Sequence, residues 1–119
     1  MGQQNKFMIL MLISTNPLFV EVILDLVARC EISEVIFTTP GDSLELIHRS
    51  KPNVVILDNS IEASLIEKLL GTVRSMENMR MILVNSGDNN YVIVNSQRST
   101  IGKIEDLIQV IQEGRRATG

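Results

Sequence analysis

Few residues in this chain have the chemistry to form a site, and Asp58 stands first among them. It closes the apolar run Val54-Val55-Ile56-Leu57, just as Ser14 and Thr15 close the longer run Phe7 to Ile13. A carboxylate at the end of a buried strand either accepts hydrogen bonds from nearby N–H and O–H groups or serves a reaction. The chain has one cysteine, Cys30, and one histidine, His48. One of each cannot make a tetrahedral zinc set. A lone cysteine also excludes an internal disulfide, which is consistent with a cytoplasmic chain. Cys30 falls on an apolar helical stripe and reads as core. His48 falls late in a short helix and reads as an exposed residue near a helix C-terminus. The residues themselves assign no catalytic group and no metal set, and no cofactor is expected.

The elements that must position these residues follow from the apolar pattern. Phe7 to Ile13 is continuously apolar, as suits a parallel strand buried on both faces. Asn16 and Pro17 are a favoured N-cap and first helical residue, so a helix is predicted from Pro17. Its core stripe is predicted to be Phe19, Val22, Ile23, Leu26, Val27 and Cys30. Val35-Ile36-Phe37 reads as a short second strand. Thr39, Pro40 and Asp42 open a second helix that carries Leu44, Leu46 and Ile47. Val54 to Leu57 is a third strand, with Asp58 at its end. Ser60 is read as the cap of a third helix that runs to about Met76 with Leu65, Ile66, Leu69, Leu70 and Val73 inward. Met81 to Val84 is a fourth strand.

Strands that alternate with helices imply right-handed βαβ units and a parallel sheet. The rhythm then breaks. Only Asn85 to Asn90 separate the fourth strand from Tyr91-Val92-Ile93-Val94. A parallel crossover needs about a dozen residues, so this strand is expected to be antiparallel or to lie outside the sheet. A last helix is predicted from about Ile101 to Glu113, capped by Ser99 or Thr100. The expected architecture is an α/β flavodoxin-like three-layer sandwich, with a five-stranded sheet in the order 2-1-3-4-5 and the fourth helix missing. Residues 1–119 read as one domain, with a polar tail at 1–6 and a linker-like tail at 115–119.

From about Phe7 to Gly114 the chain resembles a response-regulator receiver domain, and most closely the receivers that precede LuxR-type helix-turn-helix domains. Ser14-Thr15-Asn16-Pro17-Leu18-Phe19 matches a run of two acidic residues followed by His-Pro-Leu-Phe. Pro52-Asn53-Val54-Val55-Ile56-Leu57-Asp58 matches Pro-Asp-Val-Val-Leu-Leu-Asp, and Ile104 to Gly114 is similar to the family's last helix. The resemblance implies that Asp58 occupies the phosphoacceptor position, beside a divalent metal held by carboxylate oxygens. The departures from the family are the missing fourth helix, often part of the signalling face, and several changes in that pocket. Ser14 and Thr15 stand where the two acidic residues belong. Asn85, with Ser86 beside it, stands in place of the Ser/Thr after strand four. Val94-Asn95-Ser96-Gln97 offers no lysine, and Glu62 replaces a proline. Neutral hydroxyls do not replace two formal charges in holding Mg²⁺. Loss of the metal removes several kcal/mol of transition-state stabilisation, which slows transfer by orders of magnitude. Asp58 is therefore expected to be an inactive or inefficient acceptor.

Composition limits the partners. The chain carries 11 Lys and Arg against 14 Asp and Glu, a net charge of −3, which argues against direct nucleic-acid binding. The longest apolar run is far below the roughly 18 residues of a membrane span, so no membrane association is expected. Aromatic residues are only 3 % of the chain, so aliphatic residues and methionine must fill the core. In the first helix, Val20, Leu24 and Ala28 form a second apolar stripe beside the core stripe. That stripe predicts a homodimer interface, with Leu107 or Val110 of the last helix contributing. The expected function is a non-enzymatic signalling domain that acts by dimerisation or partner binding, independently of phosphorylation. It would form part of a transcriptional regulator, either as a domain whose DNA-binding partner domain lies outside this chain or as a stand-alone protein that works through a protein partner. The alternatives are a working phosphoacceptor, with Asp42 or Asp88 reaching the pocket, and a small-ligand sensor with Ser14, Thr15, Asn85 and Ser86 as polar contacts.

Overall fold

The structure, a computed structural model, describes residues 8–85, 90–94 and 99–103. The polar tail, the linker-like tail, Ser86, Asp88, Leu107 and Val110 lie outside the described residues. The elements run β1 (Ile9–Ile13), α1 (Pro17–Val27), β2 (Glu34–Thr38), α2 (Pro40–Ser50), β3 (Val54–Asp58), α3 (Ala63–Arg74), β4 (Arg80–Asn85), β5 (Asn90–Val94) and β6 (Ser99–Lys103). The sheet order is β2-β1-β3-β4-β5-β6. Pairing is parallel from β2 through β4 and antiparallel at β4–β5 and β5–β6. The fold is thus α/β and flavodoxin-like, with the order 2-1-3-4-5 as expected. Residues 86–89 alone connect β4 to β5, which leaves no room for a crossover helix, and β5 turns back against β4.

Each face of the sheet has its own core. Leu10, Leu12, Val54, Ile56, Ile82, Val84 and Tyr91 pack with Phe19, Ile23 and Val27 of α1. Met11, Ile13, Val55, Leu57 and Met81 pack on the other face with Ile47 of α2 and with Leu69 and Val73 of α3. β1 and β3 feed both clusters through alternate residues, which is why their sequences are apolar without a break.

Three sequence readings are corrected. Ser99 to Lys103 is a strand and not the start of a helix. Thr100 and Ile101 are β-branched and suit a pleated surface, and β5 would otherwise present an open edge to which they bond. The rest of the predicted last helix lies outside the described residues. Val22 is 54 % exposed and does not belong to the core stripe of α1. Successive residues turn about 100° around a helix, so a buried face centred on Ile23 places Val22 and Leu24 on opposite flanks. Finally, α3 begins at Ala63 with Glu62 as its N-cap, not Ser60, because the Ser60 side chain is engaged elsewhere.

At the opposite end of the sheet from Asp58, Asn53 fastens three strands. Its N–H donates to the Ile9 carbonyl at 2.9 Å, and its carbonyl accepts from the Arg80 N–H at 3.0 Å. Its side-chain Oδ1 accepts from the Ile9 N–H at 2.8 Å. Asn53→Ala leaves that N–H unpaired, so urea unfolding should show a loss of about 1–2 kcal/mol with an unchanged denaturant slope.

Candidate functional site

Asp58 ends β3, and β3 lies between β1 and β4 in the sheet. Its side chain is fully buried, at 0 % exposure. Oδ1 accepts three hydrogen bonds: from the Ser60 hydroxyl at 2.6 Å, the Ser14 hydroxyl at 3.0 Å and the Ser60 N–H at 3.4 Å. Oδ2 is buried and has no partner. The carboxylate is therefore held on one side by two hydroxyls and a turn amide.

Its neighbours are themselves linked. Ser14 Oγ accepts from the Asn16 N–H at 2.9 Å, and Asn16 Oδ1 accepts from the Leu18 N–H at 3.1 Å to cap α1. Ser60 Oγ accepts from the Thr15 N–H at 3.3 Å. A hydrogen-bonded chain thus runs from Asp58 through Ser14 to the first turn of α1. Of Ser14 and Thr15, Ser14 touches Asp58 with its side chain. Thr15 is exposed and joins through its backbone alone among the bonds described. Asn85, at the end of β4, accepts from Asn59 Nδ2 at 3.3 Å and makes no described bond to Asp58. Asp42 is exposed on the first turn of α2, where it accepts from the Thr39 hydroxyl at 3.3 Å. It is not brought to Asp58.

Ser60 is the residue that sequence reasoning assigned to the wrong task. Its signal was present in the spacing. An Asp bonds readily to the backbone N–H two residues on, forming an Asx-turn, and Asp58-Asn59-Ser60 is such a step.

The donor set does not suit a divalent cation. Hard cations take several oxygen ligands with carboxylates among them. Among the described residues no three His, Cys, Asp or Glu side chains cluster. The hydroxyls beside Asp58 already spend their protons on Oδ1. The carboxylate is also closed by burial: Oδ1 is engaged by Ser14 and Ser60, and Oδ2, though unpartnered, is buried.

Next to this network lies an open cleft of about 380 Å³, lined by Ser14, Thr15, Pro17, Val20, Leu24 and Phe37 among others. It separates the N-terminal half of α1 from β2. Of the expected interface stripe, Val20 is half-buried against the core, while Leu24 and Ala28 are exposed. Phe37, 58 % exposed, is a lining residue that the sequence reading left as a plain strand position.

The remaining titratable candidates are structural. Cys30 is half-buried at the end of α1, its Sγ lies 3.7 Å from the Leu26 carbonyl, and burial pushes its thiol pKa up. His48 is exposed on α2, with Nδ1 2.9 Å from the Leu44 carbonyl. Tyr91 is buried in the α1-side core. Removing the shortest bond to the carboxylate tests the network: Ser60→Ala should lower unfolding free energy by about 1–3 kcal/mol, because a bond to a charged group is lost and Oδ1 stays buried. Among family models, curated proteins and solved structures, none matches this chain.

Proposed function

We propose that the chain is a regulatory, receiver-like domain that signals through self-association or partner binding and not through phosphorylation of Asp58. The observation that carries this reading is the state of Asp58. It is closed to solvent, it is saturated on one oxygen by Ser14 and Ser60, and among the described residues it belongs to no metal-holding cluster of three or more His, Cys, Asp or Glu side chains. Phosphoryl transfer to a carboxylate is almost wholly a matter of positioning and charge neutralisation. This pocket has exchanged that neutralisation for hydroxyl hydrogen bonds, so it favours a fixed structural carboxylate over a reactive one.

The reading places the domain in the cytoplasm, as part of a transcriptional regulator of the two-component type whose DNA-binding module lies outside this chain. No helix among the described residues is long and apolar enough to cross a membrane. Neither alternative gains an observation of its own. Asp42 is bonded locally and does not supply a phosphoacceptor's missing charge. Among the described residues the cleft keeps Ser14 and Thr15 but not Asn85 of the polar ring expected of a strand-end metabolite sensor, while Ser86 and Asp88 lie outside the described residues.

Incubation with Mg²⁺ and a small phosphodonor, followed by intact mass measurement, is the direct test. No adduct is expected on the wild type or on Asp58→Asn. A stoichiometric, Mg²⁺-dependent phosphoryl adduct that is absent from Asp58→Asn would overturn the reading. The α1 stripe has its own test. Leu24→Glu should keep a wild-type circular dichroism spectrum, because Leu24 is 43 % exposed, yet lower the mass seen by light scattering. An unchanged mass removes α1 from the interface.

A further inference from the structure

We propose that β2 is a self-pairing edge, on which β2 of a second copy of this chain adds antiparallel about a two-fold axis through Ile36. The surface deepens the self-association reading above and rests on it for its role, though not for its geometry.

β2 begins the sheet order and has β1 on one side only. The Glu34 N–H donates to the Met8 carbonyl at 3.1 Å, so Glu34 points its backbone groups at β1. Backbone direction alternates along a strand, so Ile36 and Thr38 also point inward while Val35 and Phe37 point outward. The outward residues are also the ones whose side chains are large, apolar and exposed, at 38 % and 58 %. Native edge strands are normally blunted by lysine, proline or a bulge. Within Glu34–Thr38 there is no lysine or proline, and the register to β1 runs without a bulge. The opposite edge strand, β6, reads Ser99-Thr100-Ile101-Gly102-Lys103 and ends on a glycine and a lysine.

Self-complementarity selects the occupant. With the axis at Ile36, Val35 of one copy lies opposite Phe37 of the other, and the same pair recurs across the axis. Both members of each pair are outward-facing, so each pair exchanges two N–H···O=C bonds as an antiparallel ladder requires. Each is also an aromatic–β-branched pair on one face, a favourable cross-strand combination. The sole charge on the strand, Glu34, falls opposite Thr38 and not opposite its own copy. A two-fold arrangement uses the same patch twice and closes, so it caps the edge and does not propagate. Val35 and Phe37 share a face of β2, and Phe37 lines the cleft together with Val20 and Leu24 of α1. Phe37 of the second copy therefore covers Val35 beside the exposed flank of α1, which joins the strand edge and the Leu24 stripe into one surface.

The test is a cysteine placed on the axis. In this register Ile36 faces itself in a non-hydrogen-bonded pair, with Cα atoms about 4.5 Å apart, within disulfide range. In a Cys30→Ser background, Ile36→Cys should form a covalent dimer under mild oxidation, while Glu34→Cys should not. In parallel, Val35→Pro deletes an outward N–H without touching the pairing to β1. It should be monomeric by light scattering with a wild-type circular dichroism spectrum. If Val35→Pro misfolds, Phe37→Lys at the exposed position takes its place with the same expectation. A dimeric wild type in which Ile36→Cys fails to cross-link and the edge variants stay dimeric overturns this interface, and leaves self-association through α1 standing. A monomeric wild type with no cross-link also overturns it. A phosphoryl adduct on a protein that still cross-links at Ile36→Cys would sink the functional reading while supporting the interface.

Discussion

β3 is closed to water along its whole length, with Val54 to Leu57 at 1 % exposure or less and Asp58 at zero. Its backbone is paired by β1 and β4, and its side chains feed cores on both faces. A strand so enclosed carries its last residue into the interior whether or not that residue is polar. A buried carboxylate without donors is expensive, so the ends of the neighbouring segments must supply them. Ser14 does so from the end of β1, and Ser60 from the turn after β3. Ser14 in turn takes the Asn16 N–H, and Asn16 caps α1. The start of α1, and with it the cleft against β2, is thus tied to how Asp58 is satisfied.

The second constraint is the short link after β4. Residues 86–89 cannot carry a crossover helix, so β5 must return antiparallel. That leaves β5 with an unpaired edge, which β6 takes up. The sheet extends at one end through polar and glycine-containing sequence, while its other end remains β2 with Val35 and Phe37 exposed. The two ends of one sheet therefore differ in how open they are to another strand.

Most of the fold was legible because its signals are local. Unbroken apolar runs marked β1 and β3, Asn16-Pro17 and Thr39-Pro40 marked the helix starts, and the short link marked the reversal at β5. What was misread depends on tertiary context. Ser99 to Lys103 has hydroxyl residues that could equally cap a helix, and the open edge of β5 decides for strand. Val22 repeats with helical spacing, yet the sheet covers a narrower stripe of α1 than the spacing allows. At the candidate site, the receiver resemblance put Ser14 beside Asp58, and the structure does so because adjacent parallel strands bring their C-terminal ends side by side. Ser60 was missed because one hydroxyl has two local uses, a helix cap or an Asx-turn acceptor and donor, and the buried charge takes precedence. The exposure of Phe37 was implicit in the strand order, which already made β2 an edge.

A receiver that switches by phosphorylation needs an acceptor that is reachable and a pocket whose charge changes. On the reading proposed above, Asp58 would hold that place, yet it is buried, and its hydrogen bonds link β1, the β3–α3 turn and α1. A regulatory input must then enter through a surface. The cleft beside α1 is the surface most directly connected to that fixed centre, because Ser14 both lines it and bonds Asp58. Coupling between two sites requires a shared element that each can bias, and the Ser14–Asn16 segment is shared in this sense. A partner strand on β2 and the hydroxyl network on Asp58 act on the same few residues at the start of α1. Asp58 is, through Ser14, the buried anchor of one wall of that cleft.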